Sequence, residues 1–345
     1  MKSVAFKVFR LLFLGIGLFL LWGVIQKIGP DAILEQIKNL KFWLIPVLSI
    51  GFGWYVSYTL AWQKILKMQG NDIPFWPLFR AKISCDTVTT MTPANFLGGD
   101  TMRIYQLRKA ALNVTSVAAS VVVDRTINSI AIVSVIFIGS VVAFLAIPGL
   151  PKQVAIGIPL FLVVTISMIV FFMLRQHKGL FGSILRLAQK LHIAKRLCKK
   201  FKDKAEELDQ QVASLYKKSH RTFWTALGFH VVGRLLGILE VYCIGLTIDP
   251  HFSMTVALLL ATVAPVINMA FTFIPGALGI MEGAYSAILY LLGMNPVIGL
   301  TIQIVKRIRA GIWMGLGVIF ISFFRHHQKA DLAADPLRRP LRSFQ

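Results

Sequence analysis

Acidic side chains are scarce in this sequence: 15 Asp and Glu stand against 37 Lys and Arg, a formal net charge of +22. No aspartate-rich run of the metal-binding kind occurs among them. Cysteine is scarcer still. Cys85, Cys198 and Cys243 are isolated, without CxxC spacing or an even-numbered framework, so neither a disulfide scaffold nor a zinc site is implied. The seven histidines form no HExxH arrangement, and the chain has no GxxxxGK[ST] loop for ATP, no GxSxG elbow and no soluble stretch long enough for a catalytic domain. No catalytic constellation emerges, and no cofactor is expected.

What abounds is apolar surface. Hydrophobic residues make up 56% of the chain, and several uncharged runs approach the length that crosses a bilayer, roughly 20 residues each. These runs predict an all-α polytopic membrane protein. In a soluble protein a charge of +22 would suggest nucleic acid. Here the cations sit mostly in loops that alternate spans leave on one side, the positive-inside pattern, so no nucleic-acid partner is expected. The first apolar segment, Phe6 to Ile25, follows Lys2, Lys7 and Arg10, but no small-x-small cleavage pattern comes after it in WGVIQKIGP. It reads as an uncleaved span.

The chain is organised around Thr92 to Arg103, TPANFLGGDTMR, which returns in altered form as IPGALGIMEGAY. Of fourteen prolines only Pro93 and Pro275 have an acid seven residues on, Asp100 and Glu282, and each acid has an arginine twenty-five further on, Arg125 and Arg307. One offset of 182 residues maps all three positions, the sign of a duplicated unit.

The resulting division is residues 1–41, an N-terminal span and outer loop; 42–147, a first repeat; 148–174, a connecting span; 175–222, a basic cytoplasmic loop; 223–324, a second repeat; and 325–345, a basic cytoplasmic tail. Loop 175–222 carries thirteen Lys/Arg against four Asp/Glu, and its amphipathic stretches suit either anionic headgroups or plain solvent. Each repeat holds a segment broken by proline and glycine: Phe75 to Leu107 at Pro93, Gly98 and Gly99, and Ser253 to Gly293 at Pro275, Gly276 and Gly279. Irregular backbone at membrane depth is tolerated only inside protein or against water, so both segments are expected as helix, break, helix hairpins. Six to eight membrane helices result, with both termini cytoplasmic. On that count the first repeat runs out-to-in and back while the second runs in-to-out and back. Inverted repeats with matching broken helices are the architecture in which secondary transporters place a substrate between the halves.

Ionisable residues inside such segments cost about 2.5 to 3.5 kcal/mol each at a helix centre, so they face an interior, pair, or bind something. Asp100 with Arg125 and Glu282 with Arg307 are the partners that symmetry suggests, as structural salt bridges or as part of a site. Pairing does not absorb every charge, because Arg125, Arg234, Lys306, Arg307 and Arg309 outnumber Asp124, Glu240 and Glu282. The surplus suits an anionic guest. Lys306 and Arg309, three apart on one helix face, are placed to grip one phosphate or, nearer an interface, to snorkel to water. Backbone N–H groups after Gly98-Gly99 or Gly279 offer further donors. The candidate substrate-binding residues are therefore Asp100, Arg103, Arg125, Arg234, Glu282, Lys306, Arg307 and Arg309. Glycines four apart at Gly233/Gly237, Gly279/Gly283 and Gly311/Gly315 are expected to let helices pack closely.

Pro93 with Gly98-Gly99-Asp100 and Arg103, the pair Asp124-Arg125, and Pro275-Gly276-x-Leu278-Gly279 with Glu282 together resemble the lysylphosphatidylglycerol synthase transmembrane-region family of bacterial and archaeal integral membrane proteins, over about Phe6 to Phe324. Two departures are Asp124, where Glu is expected, and Ala277, where a second Gly is common. In multiple-peptide-resistance-factor proteins this region is the lipid flippase part and precedes a soluble domain that moves an aminoacyl group from tRNA to phosphatidylglycerol; no such soluble domain is expected here. The resemblance implies a cytoplasmic membrane location and membrane lipids as partners. Together with the repeats and the cationic surplus, it favours flippase-like translocation of a phosphate-bearing, anionic lipid. Two other readings are a membrane-embedded transferase in lipid or polyprenyl-phosphate metabolism with Asp100 or Glu282 as base, and a non-catalytic partner recruiting a separately encoded lipid-modifying enzyme through loop 175–222.

Overall fold

The computed structural model describes residues 43–91, 98–107, 113–146, 195–271, 274 and 277–334, with isolated positions between 156 and 167. The first span, the connecting span 148–174 as a unit, and the break residues Pro93, Pro275 and Gly276 lie outside the described residues, as does the end of the tail. The described residues are helical, without strands. In chain order the helices are α1 (Leu44–Met68), α2 (Phe75–Met91), α3 (Gly98–Leu107), α4 (Val114–Ala146), α5 (Lys195–Lys218), α6 (His220–Leu246), α7 (Met254–Ala270), α8 (Ile280–Leu291) and α9 (Pro296–Ala334).

Helices α1, α4 and α6 are long and apolar enough to cross a membrane. Helices α7 and α8, at 17 and 12 residues, are shorter than the roughly 20 that a crossing needs. Both expected hairpins are therefore present as pairs of short helices, α2 with α3 and α7 with α8. Phe137, Ile138, Val141, Phe144 and Leu145 of α4 stand exposed in a row, as do Ile312, Leu316 and Ile319 of α9. Apolar surface on that scale is lipid-facing in a membrane protein.

Local chemistry accounts for the helix ends. Helix α1 overruns the expected end at Trp62 because nothing breaks it before Gly70, whose φ of +86° closes a Schellman turn: Gly70 N–H donates to Lys67 O at 3.0 Å and Asn71 N–H to Leu66 O at 3.1 Å. Helix α9 likewise continues past Phe324 to Ala334, since no Gly or Pro follows until Pro336. Ser219 caps α6 by accepting from Thr222 N–H at 3.2 Å. Pro265 is carried inside α7, and Asn268 Nδ2 donates to Ala264 O at 3.0 Å one turn beyond it. Before α8 the backbone turns sharply: Ala277 sits at φ +44° and Gly279 at +78°. The alanine that replaces a common glycine is thus held in the left-handed region.

Helices α1 and α6 form the most extensive helix–helix interface. Their close approach rests on two glycines 182 residues apart. A Cβ at Gly233 would meet the Tyr58 ring at 2.3 Å, and one at Gly51 would meet Trp313 Nε1 at 2.9 Å. Of the glycines expected to pack, Gly237, Gly311 and Gly315 face open space instead. The two halves also cross over. Helix α9 lies on α2, with Gly317 against Thr87, and α4 lies on α7, with Gly139 against Thr262.

The core between α6, α7, α8 and α9 buries Val241, Ile244, Leu260, Tyr285, Leu289 and Ile302. A second one joins Trp62, Leu66, Leu78, Leu107 and Val121 from α1 to α4. From the basic loop, α5 turns an apolar side inward: Val212 and Leu215 are buried against Ala61, Ile65, Val123 and Ala226. That part of the loop is neither a headgroup-lying helix nor a solvated coil, because its apolar side is occupied by the bundle.

Candidate functional site: two carboxylate–arginine pairs and a buried aspartate

Helix α3 begins with Gly98-Gly99, so Asp100 arrives in its first turn. A Cβ at Gly99 would lie 1.9 Å from Thr89 Oγ1 and 2.7 Å from Cys85 O, so only glycine lets α3 pack so close to α2. From α4, Arg125 Nε donates to both Asp100 oxygens, at 2.9 and 3.1 Å. The Arg125 side chain remains 37% exposed.

Arg103, one turn on, is fully buried and points to a different acid. Its Nη2 donates to Asp124 Oδ2 at 2.8 Å, its Nη1 lies 3.7 Å from Asp100 Oδ1, and its guanidinium stacks 3.8 Å from the centre of the Trp62 ring. Asp124 also accepts from His230 Nε2 at 3.0 Å on its other oxygen, and Lys82 Nζ stands 3.5 Å away. One carboxylate thus faces three nitrogenous side chains from α2, α3 and α6. Breaking a buried pair costs far more than forming it gains, so this cluster fixes where the three helices meet.

The second half repeats the first pair. Glu282, in the first turn of α8, accepts Gly279 N–H on Oε2 at 2.9 Å and Arg307 Nε on Oε1. Glu282 is fully buried whereas Arg307 is 29% exposed. The Arg103–Asp124 pair is not repeated: the 182-residue offset carries those positions to Tyr285 and Lys306, and Lys306 Nζ lies 5.8 Å from the Tyr285 ring centre. A cation over a ring stands where the first half has an ion pair. Arg309 Nε lies 2.7 Å from Glu240 Oε1, off the line of a hydrogen bond, and its guanidinium is 4.8 Å from the Trp54 ring centre.

A family model described as the lysylphosphatidylglycerol synthase TM region matches residues 8–318. The chain belongs to that family. It is also similar to a UPF0104 membrane protein of Pyrococcus horikoshii, 21% identical over 316 residues that cover 88% of this chain and 92% of the relative. No solved structure matches. This member of the transmembrane-region family is accordingly a membrane protein with apolar helices, and its paired charges lie within the matched region.

The structure brings together Asp100 with Arg125 and Glu282 with Arg307, as the repeat spacing suggests. It separates the roles imagined for Lys306 and Arg309. Arg309 faces Glu240 and Trp54, while Lys306 lies over Tyr285. Arg234 Nη2 donates to a neutral partner, Asn128 Oδ1, at 3.1 Å. Gly98 and Gly279 stand at the starts of α3 and α8. Sequence reasoning missed Lys82 and His230, both held on Asp124. Their signals were present in the spacing: Lys82 and Asp86 are one helical turn apart in a broken segment, as are His230 and Arg234 in α6.

Proposed function

We propose that the protein translocates a phosphate-bearing lipid between the leaflets of a cytoplasmic membrane, with both termini on the cytoplasmic side. One observation carries the reading: two arginines on α4 and α9, related by the repeat offset, each engage a carboxylate at the start of a short helix while staying about one-third exposed. A guanidinium held by a carboxylate accepts a phosphate in the same fork geometry. Exchange of Asp100 or Glu282 for a headgroup phosphate binds the lipid, and return of the carboxylate releases it. The starts of α3 and α8 add backbone donors on the same side as the acids. A charged group within a lipid-facing bundle is costly unless it serves such a guest.

The test is reconstitution into liposomes carrying fluorescent headgroup-labelled anionic or zwitterionic lipid, with dithionite access to the inner-leaflet label followed in time. Acceleration for the anionic lipid, lost in Arg125→Ala and in Arg307→Ala, is expected. Wild-type rates in both variants would overturn the assignment.

A further inference from the structure

Helix α1 carries Trp54, Tyr58 and Trp62 at four-residue intervals, one aromatic face that runs through the bundle. Every ring on it has a cation from another helix. Trp54 has Arg309 of α9 and Trp62 has Arg103 of α3, at 4.8 and 3.8 Å from the ring centres. Tyr58, between them, has two: Lys82 Nζ of α2 at 5.5 Å and the Arg234 guanidinium of α6 at 5.8 Å, with the His230 ring tilted against it at 5.3 Å.

The outer two rings hold cations that already face an acid. The middle one differs. Tyr58 is 7% exposed, yet its hydroxyl has no hydrogen-bond partner, and the same holds for buried Arg234 Nε and His230 Nδ1. Arg234 has no carboxylate among the described residues, only the Asn128 amide oxygen. Buried donors are normally satisfied, and a group of them left open at one place asks for an acceptor. The charge balance has the same sense. Lys82, Arg103 and Arg234 face two carboxylates, Asp124 and Asp86, which leaves one positive charge in excess. A phosphodiester carries one negative charge and several acceptor oxygens.

We propose that Tyr58, Arg234 and Lys82 form a second phosphate station, deeper than Arg125 and Arg307, that takes a phosphodiester monoanion. The proposal rests on the lipid-translocation reading and supplies an intermediate stop for its headgroup. The Tyr58 hydroxyl and Arg234 Nε donate to the phosphate oxygens. The Tyr58 ring keeps the two cations placed while the site is empty.

The experiment is calorimetric titration of the purified full-length protein in detergent with four probes: dihexanoylphosphatidylglycerol, dihexanoylphosphatidic acid, dihexanoylphosphatidylcholine and inorganic phosphate. Arg125→Ala in the wild-type background removes the outer arginine, so that the deeper site is read alone. Tyr58→Phe keeps the ring and removes one donor. It should weaken phosphatidylglycerol binding about tenfold, as loss of a hydrogen bond to a charged group does. Arg234→Gln should weaken it further. Phosphatidylcholine, also a diester but without net charge, should bind more weakly than phosphatidylglycerol. Inorganic phosphate binding that responds equally to Tyr58→Phe would identify the occupant as the free ion and overturn the lipid assignment. Unchanged phosphatidylglycerol affinity in Tyr58→Phe, or no binding to the wild type, would overturn the station. If Tyr58→Phe binds normally while Arg125→Ala and Arg307→Ala abolish transport, this inference fails alone. If those two arginine variants transport normally, the translocation site itself fails.

Discussion

Replacing Asp124 with asparagine tests the buried cluster most directly, because the two side chains have nearly the same shape and differ in charge. Asp124 is 1% exposed and faces Arg103 at 2.8 Å, His230 at 3.0 Å and Lys82 at 3.5 Å. The amide turns one acceptor oxygen into a donor group opposite a donor and leaves two buried cations without their carboxylate. Removing one partner of a buried pair costs about 3 to 5 kcal/mol. Arg103 keeps the Trp62 ring and a longer contact of 3.7 Å with Asp100, which limits the loss. A destabilisation of about 4 kcal/mol corresponds, for a chain of this size, to a fall of roughly 8 °C in the thermal midpoint. The assay is a thermal ramp in detergent at fixed scan rate, read by intrinsic tryptophan fluorescence. A double variant, Asp124→Asn with Arg103→Leu, removes both ends of the shortest pair and should lose less than the sum of the single losses, by more than about 1 kcal/mol. A midpoint within about 1 °C of wild type for Asp124→Asn, or strict additivity in the double variant, would refute the reasoning.

Two further substitutions bear on the helix contacts. Gly317→Ala places a Cβ 1.9 Å from Thr87 Oγ1 and should lower the thermal midpoint, while Thr87→Ala in the same chain should restore part of it by removing that oxygen; no loss in the single variant would mean that α9 does not approach α2 so closely. Ala277→Gly relieves a left-handed alanine at φ +44° and should raise stability by about 1 kcal/mol in the same ramp, whereas a fall would show that the methyl group packs usefully in its buried position.

Much of this architecture was legible in the sequence, and particular residues show why. Gly98-Gly99 before Asp100 marks a helix start, and a glycine in that place is required by the approach of α3 to α2. The twenty-five-residue spacing from Asp100 to Arg125 recurs from Glu282 to Arg307 because in both halves a short helix packs on the long helix that follows, so a local spacing encodes the contact. Asp124 is different. Its partners lie 42 residues before it, 21 before it and 106 after it, on three helices, and no spacing within one segment announces such a meeting. Tyr58 was hidden for another reason: an aromatic face on an apolar helix has the pattern of ordinary packing until the cations above it are placed. The surplus of cations was readable by counting, but Arg309 belongs with Glu240, and only the fold could show that.

The crossing of the halves bears on how the chain is made. The face of α2 is covered by α9 at Gly317, and Thr87 is synthesised more than two hundred residues before that glycine. The first hairpin must therefore wait in the membrane, its covering helix not yet translated, until nearly the whole chain has emerged. Helix α7 has no such wait, since α4 precedes it. The early half is the one exposed to wrong neighbours and to quality-control proteases, and truncations that stop before α9 leave it in that state permanently.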